Sequence, residues 1–316
     1  MSGADLLTGG HGINRLEGGG GDDVLSGLDG DDTLIGGPGA DRLIGGEGLD
    51  TADYTDAPNG VIIRLNRGEG FRNDANGDTF DSVENLILSP FNDEVTGSEG
   101  ANRIEGGDGR DILVGFAGDD TVLGQDGNDV LRGASAADTL FGGAGNDVLG
   151  GGNQADQLFG GDGDDLLEGG NGGDAHFGEA GADLMRAGAG NDTLDGGAGQ
   201  DEVRGGNGDD VLAGGAGSDA LVGGNGADRL DGGAGDDTLS GRNGVDIFVF
   251  SAGADTATDF TAGVDRVDLS AAGLDVAALA ITQAGPDARL SDGQGNSLTL
   301  LGVTADALDE GDFLTG

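Results

Sequence analysis

Aspartate returns every nine residues in this chain, and carboxylates at a fixed pitch are the raw material of a cation site. One series runs Asp23, Asp32, Asp41 and Asp50, with Asp5 and Asn14 ahead of it in the same phase. A longer series runs Asp93, Asp111, Asp120, Asp129, Asp138, Asp147, Asp156, Asp165, Asp174, Asp183, Asp192, Asp201, Asp210, Asp219, Asp228, Asp237 and Asp246, with Asn102 replacing one member. The two series hold 24 positions, 22 of them aspartate. Each is preceded by a glycine turn, intact in GGAGNDVLG (142–150) and GGNGDDVLA (205–213). Two residues after each stands an apolar side chain, such as Leu25, Leu113, Leu212 or Phe248, and only His176 breaks that rule. A fixed period is a repeated structural unit. This unit carries one carboxylate, one residue for a core and one tight turn.

The third residue of successive turns alternates, as in Ala198, Asn207, Ala216, Asn225, Ala234 and Asn243, so the full repeat is a pair of nonapeptides. One coil then holds two short strands and two turns. Coils stack as parallel strands ~4.8 Å apart, and nine of them from 88 to 249 make a rod roughly 40 Å long. The fold class expected is all-β: a parallel β-roll, or β-solenoid, with a β-rich C-terminal cap.

Composition says what such a stack lacks. Lys plus Arg is 14 against 60 Asp plus Glu, a formal charge of −46, with 73 glycines and no Cys or Trp. Each coil buries about two medium side chains, while ordering costs roughly 1–2 kcal/mol per residue and glycine raises that cost. Without counter-ions the chain is expected to be disordered. Carboxylate and carbonyl oxygens in sharp glycine turns suit calcium. Zinc prefers His or Cys, and the chain has only His11 and His176. Ions bridging the corresponding turns of adjacent coils give up to about 20 sites, or about +40 of charge. The charge repels phosphate and nucleic acid, and no GxxxxGK[ST] is present.

The motif GGxGxDxUx, with U apolar, resembles the calcium-binding nonapeptide repeat of the RTX (hemolysin-type) proteins, over more than half of the chain. The resemblance implies a ligand set. One turn gives the carbonyls of its second and fourth residues and its Asp. The turn two nonapeptides later gives the carbonyls of its first and third residues and its Asp. One implied site is Gly215, Gly217 and Asp219 with Gly232, Ala234 and Asp237. Another is Gly206, Gly208 and Asp210 with Gly223, Asn225 and Asp228. The same rule names Gly107 and Gly109 with Gly124 and Asp126, and Gly143 and Gly145 with Gly160 and Asp162. It also names Gly188 and Gly190 with Gly205 and Asn207, and Gly197 and Gly199 with Gly214 and Ala216. Asp138 lies in the degraded turn GASAAD (133–138), so it is expected to matter less than Asp210 or Asp219.

Four segments are expected: a first roll block at 1–50, an insert without glycine turns at 51–92, the main roll at 93–249, and a cap at 250–316. In the insert, Val61, Ile63 and Leu65 alternate onto one face and ENLILS (84–89) is a second apolar stretch. After Asp246 glycine falls from 44 of 154 residues to 9 of 70, and IFVF (247–250), RVDLS (266–270), ARLS (288–291) and SLTLLGV (297–303) read as strands. The pattern GVDIFVFSAGADTATDFTAGVDRVDLS resembles the capping region of serralysin-like secreted proteins. That resemblance implies an uncleaved C-terminal signal for the type I secretion machinery, matched loosely by Asp312, Phe313 and Leu314. MSGADLLTGG has neither a basic start nor an apolar core, so no cleaved signal peptide is expected. No apolar run reaches membrane-spanning length.

No HExxH or GxSxG occurs. The expected function is a secreted, extracellular calcium-binding structural or binding module, not an enzyme. The alternative is a non-catalytic carrier, or fragment, of a secreted protease, lipase or polysaccharide-modifying enzyme. Phe141, Phe159 and Phe177 recur in every second nonapeptide at an outward position, with Leu123 upstream. They are expected either to mediate self-association or to be covered by 51–92 or 250–316. His176 reads as a tolerated core substitution.

Overall fold

The computed structural model describes residues 3–315, which fall into two compact units divided between Gln157 and Leu158. Each is a parallel β-solenoid. In the first unit, Leu6–Thr8 pairs with Val24–Asp29 in the register Leu6↔Val24, an offset of two nonapeptides. Glu94–Thr96, Ile112–Val114 and Val130–Ser135 repeat that offset on the same sheet. Arg103–Gly109, Thr121–Gly127 and Thr139–Ala144 repeat it on the other sheet. Burial alternates along each strand, as in Leu184–Ala189 of the second unit, and the register of one coil on the next stacks like on like.

The apolar residue two after each aspartate forms the core. Leu25, Leu34, Leu113, Leu131, Leu140 and Leu149 are fully buried in the first unit, and Leu167, Met185, Leu221 and Phe248 are buried in the second. The core is only one side chain deep from each sheet, so a polar residue in that slot has no water to turn to.

The 51–92 segment widens one coil. Thr51–Asp53 pairs with Asn85–Ile87, so one sheet runs straight past it. On the other sheet Ile62–Arg64, Glu69–Phe71 and Thr79–Asp81 are joined by antiparallel pairings. Val61, Ile63 and Leu65 point inward together, and Tyr54 packs edge-on against Phe80. In the second unit, Ile247–Val249, Arg266–Asp268 and Phe313–Leu314 extend one sheet in parallel. Ala254–Ala257, Ser297–Leu300, Asp287–Ser291 and Ala280–Ala284 finish the other, and its last two pairings are antiparallel. Phe248 and Phe260 meet at 5.8 Å, so larger rings replace leucine where the coils end. Ala254–Ala257 and Ala280–Ala284 lack the dense β-branched pattern of a strand and follow from the edge they pair with.

Phe159 and Phe177 stack with ring centroids 4.9 Å apart, and Phe141 is 38% exposed. The turns keep one backbone shape even without glycine. Ala134, Ala136 and Gln154 have φ of 84°, 86° and 74°. A side chain there costs ~1 kcal/mol or more. Ala136→Gly and Gln154→Gly are expected to stabilise the calcium-loaded protein by ~0.5–1 kcal/mol each. Denaturant unfolding measures this, and a lower midpoint in either variant would contradict a strained turn.

Candidate metal centres

Within each unit the aspartates of the series are fixed by neighbouring coils. The carboxylate Oδ1 of Asp219 accepts the Asp201 N–H at 2.9 Å, and that of Asp237 accepts the Asp219 N–H at 2.9 Å. The Asp219 carbonyl accepts the Thr238 N–H at 2.8 Å. The same Oδ1 bond recurs at 2.7–3.0 Å for Asp41, Asp50, Asp111, Asp120, Asp129, Asp147, Asp183, Asp192, Asp201, Asp210, Asp228 and Asp246. Asp23 and Asp32 accept from the Asp5 and Asn14 N–H groups in the first coils. Asp138 makes the same bond to the Asp120 N–H at 2.8 Å, although its turn has Ala134 and Ala136 where others have their second and fourth glycines. Asp165 and Asp174 hold their place in the column through their own N–H groups, bonded to Asp183 and Asp192.

The second oxygen is different. In Asp23, Asp32, Asp41, Asp50, Asp111, Asp120, Asp129, Asp183, Asp192, Asp201, Asp210, Asp219 and Asp228 the Oδ2 atom is buried without a hydrogen-bond partner. A buried acceptor left unmade is costly, and a row of them requires an account. These oxygens face cradles closed to side chains. A Cβ on Gly214 would lie 2.5 Å from Asp219 Oδ2 and 2.6 Å from the Gly232 carbonyl oxygen. A Cβ on Gly106 would lie 2.5 Å from Asp111 Oδ2 and 2.7 Å from the Gly124 carbonyl. Oxygens from the corresponding turns of adjacent coils therefore share one small space.

Backbone carbonyls complete the surroundings. Those of Asn207, Ala216, Asn225 and Ala234 accept the Gly190, Gly199, Gly208 and Gly217 N–H groups at 2.8 Å, each keeping a second lone pair. The Gly197, Gly199, Gly206, Gly208, Gly215 and Gly217 carbonyls point along the stack, where a Cβ on Gly215, Gly217, Gly224, Gly226, Gly233 or Gly235 would collide with them. Gly107, Gly109, Gly143, Gly145, Gly188 and Gly190 hold the same positive-φ turn positions. Gly124, Gly160, Gly205 and Gly223 are the first-position glycines, backed by Asp129, Asp165, Asp210 and Asp228. The Asp126 and Asp162 side chains are exposed, so their carbonyls are what those positions offer. No group of three His, Cys, Asp or Glu side chains suited to a metal occurs among the described residues. Carboxylate and carbonyl oxygens line the cradles, and hard oxygens in a flexible turn fit calcium.

The columns end differently. Asp93 accepts the Val61 N–H at 2.5 Å and the Ser89 N–H at 3.0 Å, so both its oxygens are engaged. Tyr54 donates its hydroxyl to Asp78 Oδ2 at 2.6 Å, while Asp78 Oδ1 accepts the Asp41 N–H at 2.7 Å. Ser251 donates to Asp255 at 3.0 Å, and the Thr261 N–H to Asp265 at 2.7 Å. Asp78, Glu84, Asp255 and Asp265 take column positions that the periodic reading passes over. Asp255 was findable, nine residues after Asp246; Asp78 and Asp265 sit 37 and 19 residues from their partners, out of phase.

Burial pushes the carboxyl of Asp111 up to about 8 and those of Asp120 and Asp210 up to about 7, with neighbouring charges adding to Asp111 from Asp93 and Asp129. Asp192, Asp201 and Asp228 rise to about 6, chiefly by desolvation. Desolvation also lowers His176 to about 4, so its imidazole is neutral.

Stacked glycine turns over buried, cation-seeking carboxylates define a calcium-type β-roll. The model of the RTX calcium-binding nonapeptide repeat matches residues 1–52 and 89–257 in overlapping copies, and the chain belongs to that family. The solution structure of the AlgE6R3 subunit from the Azotobacter vinelandii mannuronan C5-epimerase is similar at 24% identity, covering 52% of this chain and 80% of that one, with a TM-score of 0.18. The crystal structure of the extracellular lipase LipA from Serratia marcescens is similar at 18% identity with a TM-score of 0.18, covering 99% of this chain. The chain spans 38% of that lipase. Among curated proteins, none matches the chain.

Gly214→Ala is expected to remove calcium from its cradle and lower the cooperativity of a calcium titration. Gly100→Ala, whose Cβ would meet nothing within 4 Å, serves as the control. Identical titrations for the two variants would contradict the cradle. The raised carboxyl values also have a pH signature. A folded, ion-free roll binds protons more readily than the unfolded chain, so it gains stability as pH falls from about 8 toward 4. In chelator the β signal in circular dichroism is expected to rise between pH 8 and 5, while calcium affinity falls over the same range. A β signal in chelator that is flat or falling over that range would argue against the buried-carboxylate account.

Proposed function

We propose that this chain is a secreted, extracellular calcium-binding module that folds when it meets calcium and then serves as a structural or binding surface. One observation carries the reading: a column of buried carboxylate oxygens without hydrogen-bond partners, each beside a glycine cradle shared with the next turn. A charge of −46 holds the ion-free chain open. Calcium between coils removes the repulsion and supplies the missing partners. Binding free energy then becomes folding free energy.

The glycine and carboxylate donors that the family motif implies are the proposed ligands, in pairs of corresponding turns on adjacent coils. Up to about 20 ions is the ceiling. Asp93 has both carboxylate oxygens engaged by protein donors, so it is proposed as a column end whose carbonyl, already accepting the Ile112 N–H, keeps one lone pair for ligation. Residues 250–316 are proposed as the cap and as the region read by type I secretion machinery. Asp312 and Phe313 of the acidic-then-apolar stretch are buried, and Phe313 pairs with the sheet, so such a signal is legible only in the unfolded chain. Export before folding, from a compartment poor in calcium, agrees with that. No enzymatic role is proposed. The second reading, a non-catalytic carrier for a secreted enzyme, shares the same calcium chemistry.

In excess chelator at neutral pH the protein is expected to be expanded and poor in β structure. It is expected to fold cooperatively at about 0.1–1 mM calcium, as extracellular modules do. Circular dichroism with light scattering reads both folding and association. Compact, β-rich protein in chelator would overturn calcium-coupled folding. Self-association through Phe141, Phe159 and Phe177 is the proposed partner mode, and a calcium-loaded monomer at every concentration would overturn it.

A further inference from the structure

His176 stands in the slot that every other coil gives to an apolar residue. It is fully buried, and neither ring nitrogen has a hydrogen-bond partner. Its strand partner in the next coil is Leu194. A leucine there would complete the core, so the imidazole carries a desolvation cost that packing does not explain.

Its surroundings give the nitrogen a use. At Gly106, an ordinary turn, a Cβ would meet Asp111 Oδ2, the Gly124 carbonyl and, at 3.2 Å, the Leu113 methyl from the core slot. At Gly169 the same three directions hold Asp174 Oδ2, the Ala187 carbonyl at 2.7 Å and His176 Nε2 at 2.7 Å. The core slot thus projects a nitrogen, where the Gly106 coil projects a methyl, into a cradle already lined by two oxygens. The next turn departs as well: Ala187 places a methyl where other turns of the main roll have their first glycine.

We propose that His176 Nε2, the Asp174 carboxylate and the Ala187 carbonyl bind one divalent transition-metal ion of the zinc class. An imidazole nitrogen gains little from calcium, which takes oxygen, but is a strong ligand for zinc, cobalt, nickel or copper. The site is chemically separate from the all-oxygen cradles and does not require that they fill. Because His176 is fully buried, the ion enters while the coil is open, during folding.

Cobalt(II) is the probe. The full chain is stripped with chelator, unfolded, refolded with calcium and one equivalent of cobalt, and desalted. Circular dichroism confirms the roll; if the chain folds without calcium, calcium is left out and the test is unchanged. Wild type is expected to retain about one cobalt per chain, with visible d–d bands shifted by nitrogen ligation. His176→Leu restores the residue common to this slot, and is expected to fold and retain none. His11→Gln, which removes the exposed histidine beside Asp29, is expected to retain cobalt like wild type. No retention by wild type, equal retention by His176→Leu, or loss in His11→Gln would each overturn the proposal.

Discussion

Buried carboxylates stacked at the pitch of a parallel sheet are the constraint on which the rest of this protein depends. Two charges ~4.8 Å apart at an effective dielectric near 20 repel by about 3 kcal/mol, and burial adds a desolvation cost to each. The coils supply one hydrogen bond per carboxylate, from the N–H of the aspartate 18 residues earlier. That bond orients the group and leaves the other oxygen facing the glycine cradle. Everything regular in the chain, from the period to the glycines and the acidic charge, follows from placing a cation where the backbone cannot place a donor.

The column ends show the rule by exception. Where a coil has a neighbour of different shape, a side chain or backbone N–H meets the second oxygen. Tyr54 does so for Asp78, Ser89 for Asp93, Ser251 for Asp255 and Thr261 for Asp265. These carboxylates are buried like the others, yet protein donors stabilise them. A β-roll column therefore has two kinds of member, those completed by protein donors and those that await a cation.

The core explains why so little variation is tolerated inside and so much outside. A single apolar side chain per strand separates the sheets, with Leu113, Leu131, Leu149 and Leu221 all fully buried or nearly so. A substitution in that slot changes the packing and also reaches the cradle beside it, as Leu113 does near Gly106. The outward positions carry Arg, Glu, Phe and Gly in no fixed order because only the sheet beneath them constrains them.

The nine-residue phase of aspartate, glycine and apolar residue was enough to establish the β-roll, the coil of two nonapeptides and the carboxylates that face the turns. Those features are local and repeat, so each unit reports the same geometry as its neighbours. The inward set Val61, Ile63 and Leu65 was legible for the same reason, since alternation marks a strand with one buried face. The tertiary structure alone decided which carboxylates have a second partner. Asp78 and Asp265 join columns from positions out of phase, brought there by chain that loops away and returns. It alone showed that Asp138 keeps its column bond in a turn with alanine at its second and fourth positions, because stacking holds Ala134 and Ala136 at positive φ against their own preference. It alone set His176 Nε2 beside two oxygens, since the distance from a core slot to a neighbouring turn is a property of the coil and not of the residue order.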